Sequence, residues 1–343
     1  MRLVVNSNEI KKALRLIDKV VGSVEKTNRR VGFAYNHGYL NMFGSDGCLT
    51  VKYEVSEMNP TTLSFTLPLD ILKFFVYELS GDVYIYSDGR YVFLKAKDES
   101  LKLKAEEFHI KKFEERYEKI LNVSKNKFLN DLDFVSSHLD ESGMVDLFFG
   151  DSFKLVAENS GIINYVRRDG KSIPFSWRIP YYSSRHLIKS LQLLNDSDIE
   201  IGAGVNALVL KAKHVFNVCG EELDQQALYL LEEELYRAKE FLKVGLKGIR
   251  RFLRRAMISG RNSSIKLMGN KNGIFFYASS SKMEYKGHVE IPSPEDFQVI
   301  TNAYFLRASL NRLGSENLLL MKSNMFLFIT TNSKKRFIIL PMR

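Results

Sequence analysis

The spacing of hydrophobic and polar positions changes along this chain in a fixed order, and the order recurs three times. Residues 65–79, FTLPLDILKFFVYEL, begin as a short apolar strand, pass a proline and continue with the i, i+3, i+4 spacing of an amphipathic helix. Residues 175–191, FSWRIPYYSSRHLIKSL, and 297–313, FQVITNAYFLRASLNRL, repeat this grammar, with Asn302 near the turn in place of proline. The units start about 110 to 120 residues apart, which predicts three tandem domains rather than a solenoid of short repeats. The expected boundaries are 1–116, 117–225 and 226–343.

Each third reads as a strand, a first helix, a strand pair, a strand, a second helix and a closing hairpin. In the first, LVV leads into a helix over 8–21 that Ser7 or Asn8 can cap. RVGFAY and YLNMFG flank the tight-turn sequence Asn36-His37-Gly38, and DVYIY and RYVFLKA flank Ser87-Asp88-Gly89. LKLKA, residues 101–105, alternates strictly and predicts a half-buried strand. The second third opens near 120–123 with a helix over 125–139. MVDLFF and FKLVAE turn at Gly150-Asp151, and DIEIG, ALVLKA and HVFNVC close the unit. The third opens with ELYRAK as a strand and a helix over 241–258. SIKLMG, GIFFYA, NLLLMK, MFLFIT and RFIILPM follow. Charged residues 106–118 and the Glu/Gln-rich stretch 220–234 read as linkers. The expected class is α+β: three copies of a small unit with two helices against antiparallel sheets. That predicts a curved or ring-shaped scaffold rather than one active-site cleft.

With 343 residues, 45% hydrophobic and 26% charged, each third can bury its own core. No apolar run approaches the roughly 18 residues of a membrane span, and MRLVVNSNEIKKAL reaches charged residues at once, so a cytoplasmic protein is expected. Cys48 and Cys219 stand in no metal or redox spacing and read as small packed thiols in a reducing compartment. The net charge of +10 is uneven: about +2, −3 and +11 across the three thirds. Such asymmetry points to a polyanion, nucleic acid above all, or to an anionic membrane surface.

The segment FLKVGLKGIRRFLRRAMI, residues 241–258, concentrates this charge. Leu242, Leu246, Ile249, Leu253 and Ala256 fall at helical spacing as one apolar stripe. Lys243, Lys247, Arg250, Arg251 and Arg254 fall opposite, with Arg255 at the boundary. Like charges three or four apart cost about a few tenths of a kcal/mol per pair, whereas a merely solvated face normally mixes signs. Three readings stay open: a polyanion partner, an ordinary exposed basic helix, and an amphipathic helix on a membrane, for which no Trp or lipid-anchor signal speaks. In the first helix Ile10, Ala13, Leu14 and Ile17 face the core, while Lys12, Arg15 and Lys19 share another face. The second helices add Arg185, Lys189 and Arg307. Singly, each of these reads as a surface charge. Together they suit phosphate contacts, which are non-specific and salt-dependent.

Catalytic signatures are missing: there is no P-loop, GxSxG, HExxH or metal-spaced Cys/His set, so neither an enzyme nor a cofactor or metal site is expected. His37, His109, His138, His186, His214 and His288 are scattered. His138, beside Asp140 and Glu141, comes nearest to a cluster and reads as a polar helix end. Trp177 reads as core or interface.

RFIILPMR (336–343) and LNRLGSENLLL (310–320) resemble the end of the bacterial β sliding clamp of DNA polymerase III, whose chains finish in a Met-Pro-Met-Arg-like sequence. MRLVVNSNEIKKAL resembles that family's opening strand and helix, and FGSDGCLTVKYEV (43–55) a strand of its first domain, so the resemblance runs the whole length. It implies a head-to-tail homodimer with six similar domains in a ring, helices lining the hole and sheets outside. The implied function is that of a non-enzymatic processivity factor that encircles double-stranded DNA. It would tether the polymerase catalytic subunit, be placed by a clamp loader, and serve other clamp-binding replication and repair proteins in the nucleoid-associated cytoplasm, with no membrane. The implied dimer contact joins Leu101 and Leu103 to Met257 and Ile258. The implied peptide pocket comprises Met144, Ile163, Asn302, Phe305, Ile338, Ile339, Leu340, Pro341, Met342 and Arg343. Two departures stand out. The family's Asp-Gly-His/Tyr-Arg-Leu loop is replaced by Asn159-Ser160-Gly161-Ile162-Ile163, and its Phe-Pro-Asp-Tyr motif by Leu223-Asp224-Gln225-Gln226-Ala227. These, and the basic balance, leave open a specialised clamp-fold DNA-binding paralogue that neither closes a ring nor serves the replicative polymerase.

Overall fold

The computed structural model describes residues 2–22, 29–36, 38–57, 64–107, 113–257, 260–280 and 283–342. The chain divides into two compact units, Met1–Asn126 with Arg185–Gly220, and Lys127–Ser184 with Glu221–Arg343. Seven α-helices are formed among the described residues: α1 (Ser7–Val21), α2 (Leu69–Glu78), α3 (Lys125–Val135), α4 (Tyr181–Leu191), α5 (Gln226–Arg237), α6 (Leu246–Ala256) and α7 (Ala303–Arg312).

The strands repeat in sets of eight, with one pairing rule: the first strand of a set pairs with the sixth, followed by the seventh and eighth, while the fifth pairs with the second, followed by the third and fourth. In the first unit Arg2–Asn6, Asp82–Ser87, Tyr91–Lys95 and Ser100–Lys104 form a four-stranded antiparallel sheet. Ser64–Pro68, Arg30–Asn36, Tyr39–Ser45 and Leu49–Glu57 form the other half of the first set. They continue through Val215–Val218, Leu208–Lys211, Asp198–Ala203 and Glu118–Ser124 into an eight-stranded sheet. The seam between the two sets runs from Leu49↔Val218 to Lys52↔Val215. The second unit repeats the arrangement. Phe175–Pro180, Met144–Phe149, Ser152–Asn159 and Ile162–Asp169 join Arg336–Pro341, Phe326–Thr330, Asn317–Lys322 and Lys239–Gly245, with a seam from Ile163↔Ile339 to Val166↔Arg336. Its four-stranded sheet runs Met283–Val289, Gly273–Ser280, Ser264–Asn270, Phe297–Asn302. The class is therefore α+β, built from repeated antiparallel units.

The strand, turn and helix grammar of the sequence is realised in all three places, as Ser64–Pro68 into α2, Phe175–Pro180 into α4 and Phe297–Asn302 into α7. Asn302 replaces proline because its side chain caps α7, accepting from Tyr304 N at 2.9 Å and Phe305 N at 3.2 Å. Both tight turns carry a left-handed glycine, Gly38 (φ 86°) and Gly89 (φ 89°). His37 and His109 lie outside the described residues.

Several expectations are corrected. The cap of α1 is Asn6, not Ser7 or Asn8: Asn6 Oδ1 accepts from Asn8 N at 3.0 Å, while Ser7 is already helical and buried. Residues 239–245 are a strand, not the start of the basic helix, because their backbone groups pair with Asn317–Lys322 and α6 begins only at Leu246. Leu242 and Lys243 therefore leave the helical stripe. Residues 226–237, within the expected linker and ELYRAK strand, are helix α5. Its Leu228 and Leu231 bury against Phe148, Tyr165, Met321, Phe328, Phe337 and Ile339. Cys48 and Cys219 are not packed thiols but a disulfide, with Cα atoms 4.9 Å apart. His138 is not a polar helix end. It is fully buried, with Nε2 3.0 Å from Ile162 O, and burial lowers its pKa to about 4.

Candidate nucleic-acid interface

The basic face of α6 survives the change of register. Leu246, Ile249, Phe252, Leu253 and Ala256 are buried, so the core side of the helix is wholly apolar. Lys247, Arg251, Arg254 and Arg255 fall at i, i+4, i+7 and i+8 and are exposed. None of the four joins an ion pair among the described residues. Arg254 and Arg255 suit the negative end of the helix dipole, but Lys247 sits in the first turn, where no acid offsets it. Arg250 is different: it is half-buried and its Nη2 donates to Leu310 O at 3.4 Å, tying α6 to α7. Arg307, on α7, is also half-buried, with Nη1 3.8 Å from Met257 Sδ. Lys243 is exposed on the strand Lys239–Gly245, 3.9 Å from Glu240.

In the first unit α1 packs on α2 and presents Lys12 and Arg15 to solvent, with Lys19 half-buried. Lys12 is held by Glu9 at 2.6 Å. Lys12 and Arg15 stand on a ridge between two clefts. One, of about 670 Å³, is walled by Leu16, Tyr53, Lys213 and His214 with residues 192–196. The other, of about 530 Å³, is lined by Asn8, Lys11 and Tyr77. Burial, then Lys213, lowers the His214 pKa to about 4, and burial, then Glu9, raises that of Tyr53 to about 12. Both rings are uncharged at neutral pH, so the cationic character of the larger cleft comes from Lys12, Arg15 and Lys213, opposed by Asp196. On α4, Lys189 is exposed and Arg185 half-buried.

The residues expected to form a peptide pocket do not share one surface: those on the eight-stranded sheet are split between its two faces, while Asn302 and Phe305 belong to the strand-to-helix turn at α7. Asn164 donates to Phe134 O and to Ser309 Oγ, both at 2.9 Å, so that face of the strand carries the helices. Ile338, opposite Asn164, is fully buried, as is Leu340 two residues on. Ile163 and Ile339 pair on the other face, beneath α5. Asn302 is engaged as the α7 cap, Phe305 and Met342 are half-buried, and Met144 and Pro341 are exposed. Arg343 lies outside the described residues.

Of the expected dimer residues, Leu101 and Leu103 are half-buried on Ser100–Lys104, an edge strand, and Met257 is half-buried at the end of α6. Ile258 lies outside the described residues. Sequence reasoning missed the outer face of α2, where Ile71, Phe74 and Tyr77 are exposed, Phe74 by 83%. The signal was present, since LDILKFFVYE is apolar around most of its circumference, and a helix of that kind is normally covered. Among the described residues no group of three or more His, Cys, Asp or Glu side chains could hold a metal ion.

No protein-family model matches the chain, and no curated protein matches it in sequence. Solved structures do. The DNA polymerase III subunit beta from Pseudomonas aeruginosa superposes with a TM-score of 0.83 at 13% identity, covering 100% of both chains. The DNA polymerase sliding clamp from Caulobacter crescentus gives 0.84 at 12% identity, covering 100% of this chain and 99% of that one. The DNA polymerase III beta subunit from Thermotoga maritima gives 0.76 at 15% identity, with the same coverage. The chain has the sliding-clamp fold over its entire length, with a widely diverged sequence.

Proposed function

We propose that this protein is a DNA sliding clamp, a non-enzymatic ring that encircles duplex DNA and tethers the replicative polymerase and other DNA-processing proteins. The observation that carries this reading is what the strand repeat leaves unpaired. Within each unit, the fourth strand of one set pairs with the eighth strand of the next: Leu49–Glu57 with Val215–Val218, and Ile162–Asp169 with Arg336–Pro341. Among the described residues the same rule leaves two such edges without their counterpart, the fourth strand of the last set, Met283–Val289, and the eighth of the first, Ser100–Lys104. A second copy satisfies both at once by a head-to-tail contact made twice, which is how a heterologous interface closes. Unsatisfied edges of this kind are otherwise an aggregation hazard. This reading places Leu101 and Leu103 opposite Met283–Val289, with Met257, at the end of α6, beside that contact.

A ring retains DNA by topology, so its phosphate contacts can stay weak and mobile. The exposed Lys247, Arg251, Arg254 and Arg255 suit that role, with Lys12, Arg15, Lys19, Lys189, Arg185 and Lys243 as a second tier. Arg250 and Arg307 serve packing more than phosphate. Partner peptides would meet Met144, Phe305, Pro341 and Met342, while Ile338 and Leu340 anchor the strand in the core and Ile163 lies on the other face beneath α5. The intervals 1–116, 117–225 and 226–343 are proposed as its three domains.

Sedimentation equilibrium tests the edge argument. A species near twice 39.5 kDa is expected across a concentration series. A monomer at every concentration would contradict ring closure and favour the second reading, a clamp-fold DNA-binding paralogue that does not close. The identity of 12–15% and the helix α5, seated beside the expected peptide wall, are what speak for that alternative.

A further inference from the structure

One corner of the first unit carries chemistry that DNA binding leaves unused. Cys48 immediately precedes the strand Leu49–Glu57 and Cys219 immediately follows Val215–Val218, so their bond closes one end of the seam between the two strand sets. Cys219 N donates to Cys48 O at 3.1 Å and forms the seam's last rung. At the other end the Tyr53 ring stacks on His214, with centroids 4.0 Å apart. Between these ends run only the pairs Leu49↔Val218, Thr50↔Asn217, Val51↔Phe216 and Lys52↔Val215. The corresponding corner of the second unit's seam holds Gly161 near Pro341 and no cysteine.

The turn that presents Cys48 is built to hold it. Asp46 Oδ1 accepts from Cys48 N at 2.9 Å and Leu49 N at 2.6 Å, while Asp46 Oδ2 lies 2.8 Å from His186 Nδ1. Gly47 supplies the left-handed residue, at φ 99°. Cys48 Sγ lies 3.1 Å from Cys219 O, so a reduced Cys48 thiol has a backbone acceptor at hand once the two sulfurs part. Cys48 is buried but Cys219 is exposed, which gives an attacking thiolate access to one of the two sulfurs.

We infer that Cys48–Cys219 is a redox-operated staple of the first unit's seam. A dithiol reductant opens it. One thiolate attacks the exposed Cys219 sulfur and Cys48 leaves as a thiolate that takes up a proton. The reductant's second thiol then resolves the mixed disulfide, releasing Cys219 as a thiol and the reductant as a cyclic disulfide. Two electrons and two protons pass to the protein. Oxidation of the pair by a disulfide or diazene oxidant reverses the transfer. The cross-linked residues are 171 apart in sequence, so closing the bond removes a large loop from the unfolded ensemble and stabilises the stapled form. Where compartments are reducing, bonds of this kind act as sensors rather than permanent braces.

The test uses the full chain, oxidised with diamide or reduced with dithiothreitol. Expected are a mass difference of two hydrogens and a lower unfolding midpoint for the reduced form. Amide exchange of residues 49–52 and 215–218 should be at least tenfold faster on reduction, while residues 163–166 and 336–339 of the other seam are unchanged. Cys219→Ser, at the exposed position, should behave as the reduced form whether or not reductant is present, and Cys48→Ser should do the same. Two thiols that diamide does not join would overturn the staple. Equal midpoints and exchange rates in both states would overturn it too, and a bond that dithiothreitol cannot open without denaturant would overturn the switch.

Discussion

At the residue scale the protein hides groups that would prefer water and satisfies them with named partners. Asp131, only 1% exposed, accepts from Arg168 Nε and Nη2, each at 2.7 Å, and from Arg336 Nε at 2.9 Å. Arg168 and Arg336 flank the second unit's seam, so one buried carboxylate fastens both sides of it. Two of the three buried histidines, His138 and His214, are handled differently, by staying neutral. His138 and His214 ordinarily titrate near 6.5 and burial lowers both to about 4. The unfolded chain therefore takes up protons between those limits while the native chain does not. The resulting stability is complete above pH 6.5 and drains away as pH falls towards 4, by roughly 3 kcal/mol for each ring. Urea unfolding at pH 7.5 and pH 5 should show this loss, and His138→Gln with His214→Gln should flatten it. A wild-type stability unchanged between those values would contradict neutral burial. Burial works against the Asp18 charge, but Lys73 and Arg29 outweigh it and hold the carboxylate below its usual range, so its stabilising contribution is present throughout this window and is lost only at still lower pH.

At the element scale the proposed DNA contact rests on the basic face of α6. Replacing Lys247, Arg251, Arg254 and Arg255 by Ala should weaken binding to duplex DNA. It should also reduce the slope of log affinity against log salt by up to about 3.6, if each cation meets a phosphate. An unchanged slope would remove α6 from the DNA-facing surface. The basic helix was visible in the sequence, but its start was not: Phe241, Leu242 and Val244 read equally well on either period, and the partner strand Asn317–Lys322 decides for strand. Helix α5 was missed for the opposite reason. Its Glu232, Glu233 and Glu234 made the stretch look like a solvated linker. In fact Glu232 reaches Lys154 Nζ at 2.6 Å and Tyr165 Oη at 2.7 Å, and Glu234 accepts from Ser323 Oγ at 2.6 Å. Leu228, Leu231 and Leu235, at i, i+3 and i+7, were the overlooked helical signal. Alternate residues of the strand Arg336–Pro341 point to opposite faces, so a pocket on one side of the sheet would be met by only part of the consecutive run Ile338–Pro341.

At the scale of the whole molecule, what the sequence offered was its threefold recurrence, and that recurrence governs the pairing of the strands. Its period located all three strand-to-helix turns. It did not reveal that sets exchange edges, since which strand meets which over a hundred residues away depends on tertiary pairing rather than local pattern. Among the described residues the exchange leaves Ser100–Lys104 and Met283–Val289 without the outer partner that their counterparts have, and that is the basis of the proposed ring. The most direct test of the ring is retention of the protein on covalently closed circular duplex DNA, after loading, in salt high enough to abolish simple phosphate binding. A sliding clamp should stay on the circle under those conditions and leave within the assay time once a single cut linearises it. Loss from circle and linear DNA alike as salt rises would contradict encirclement.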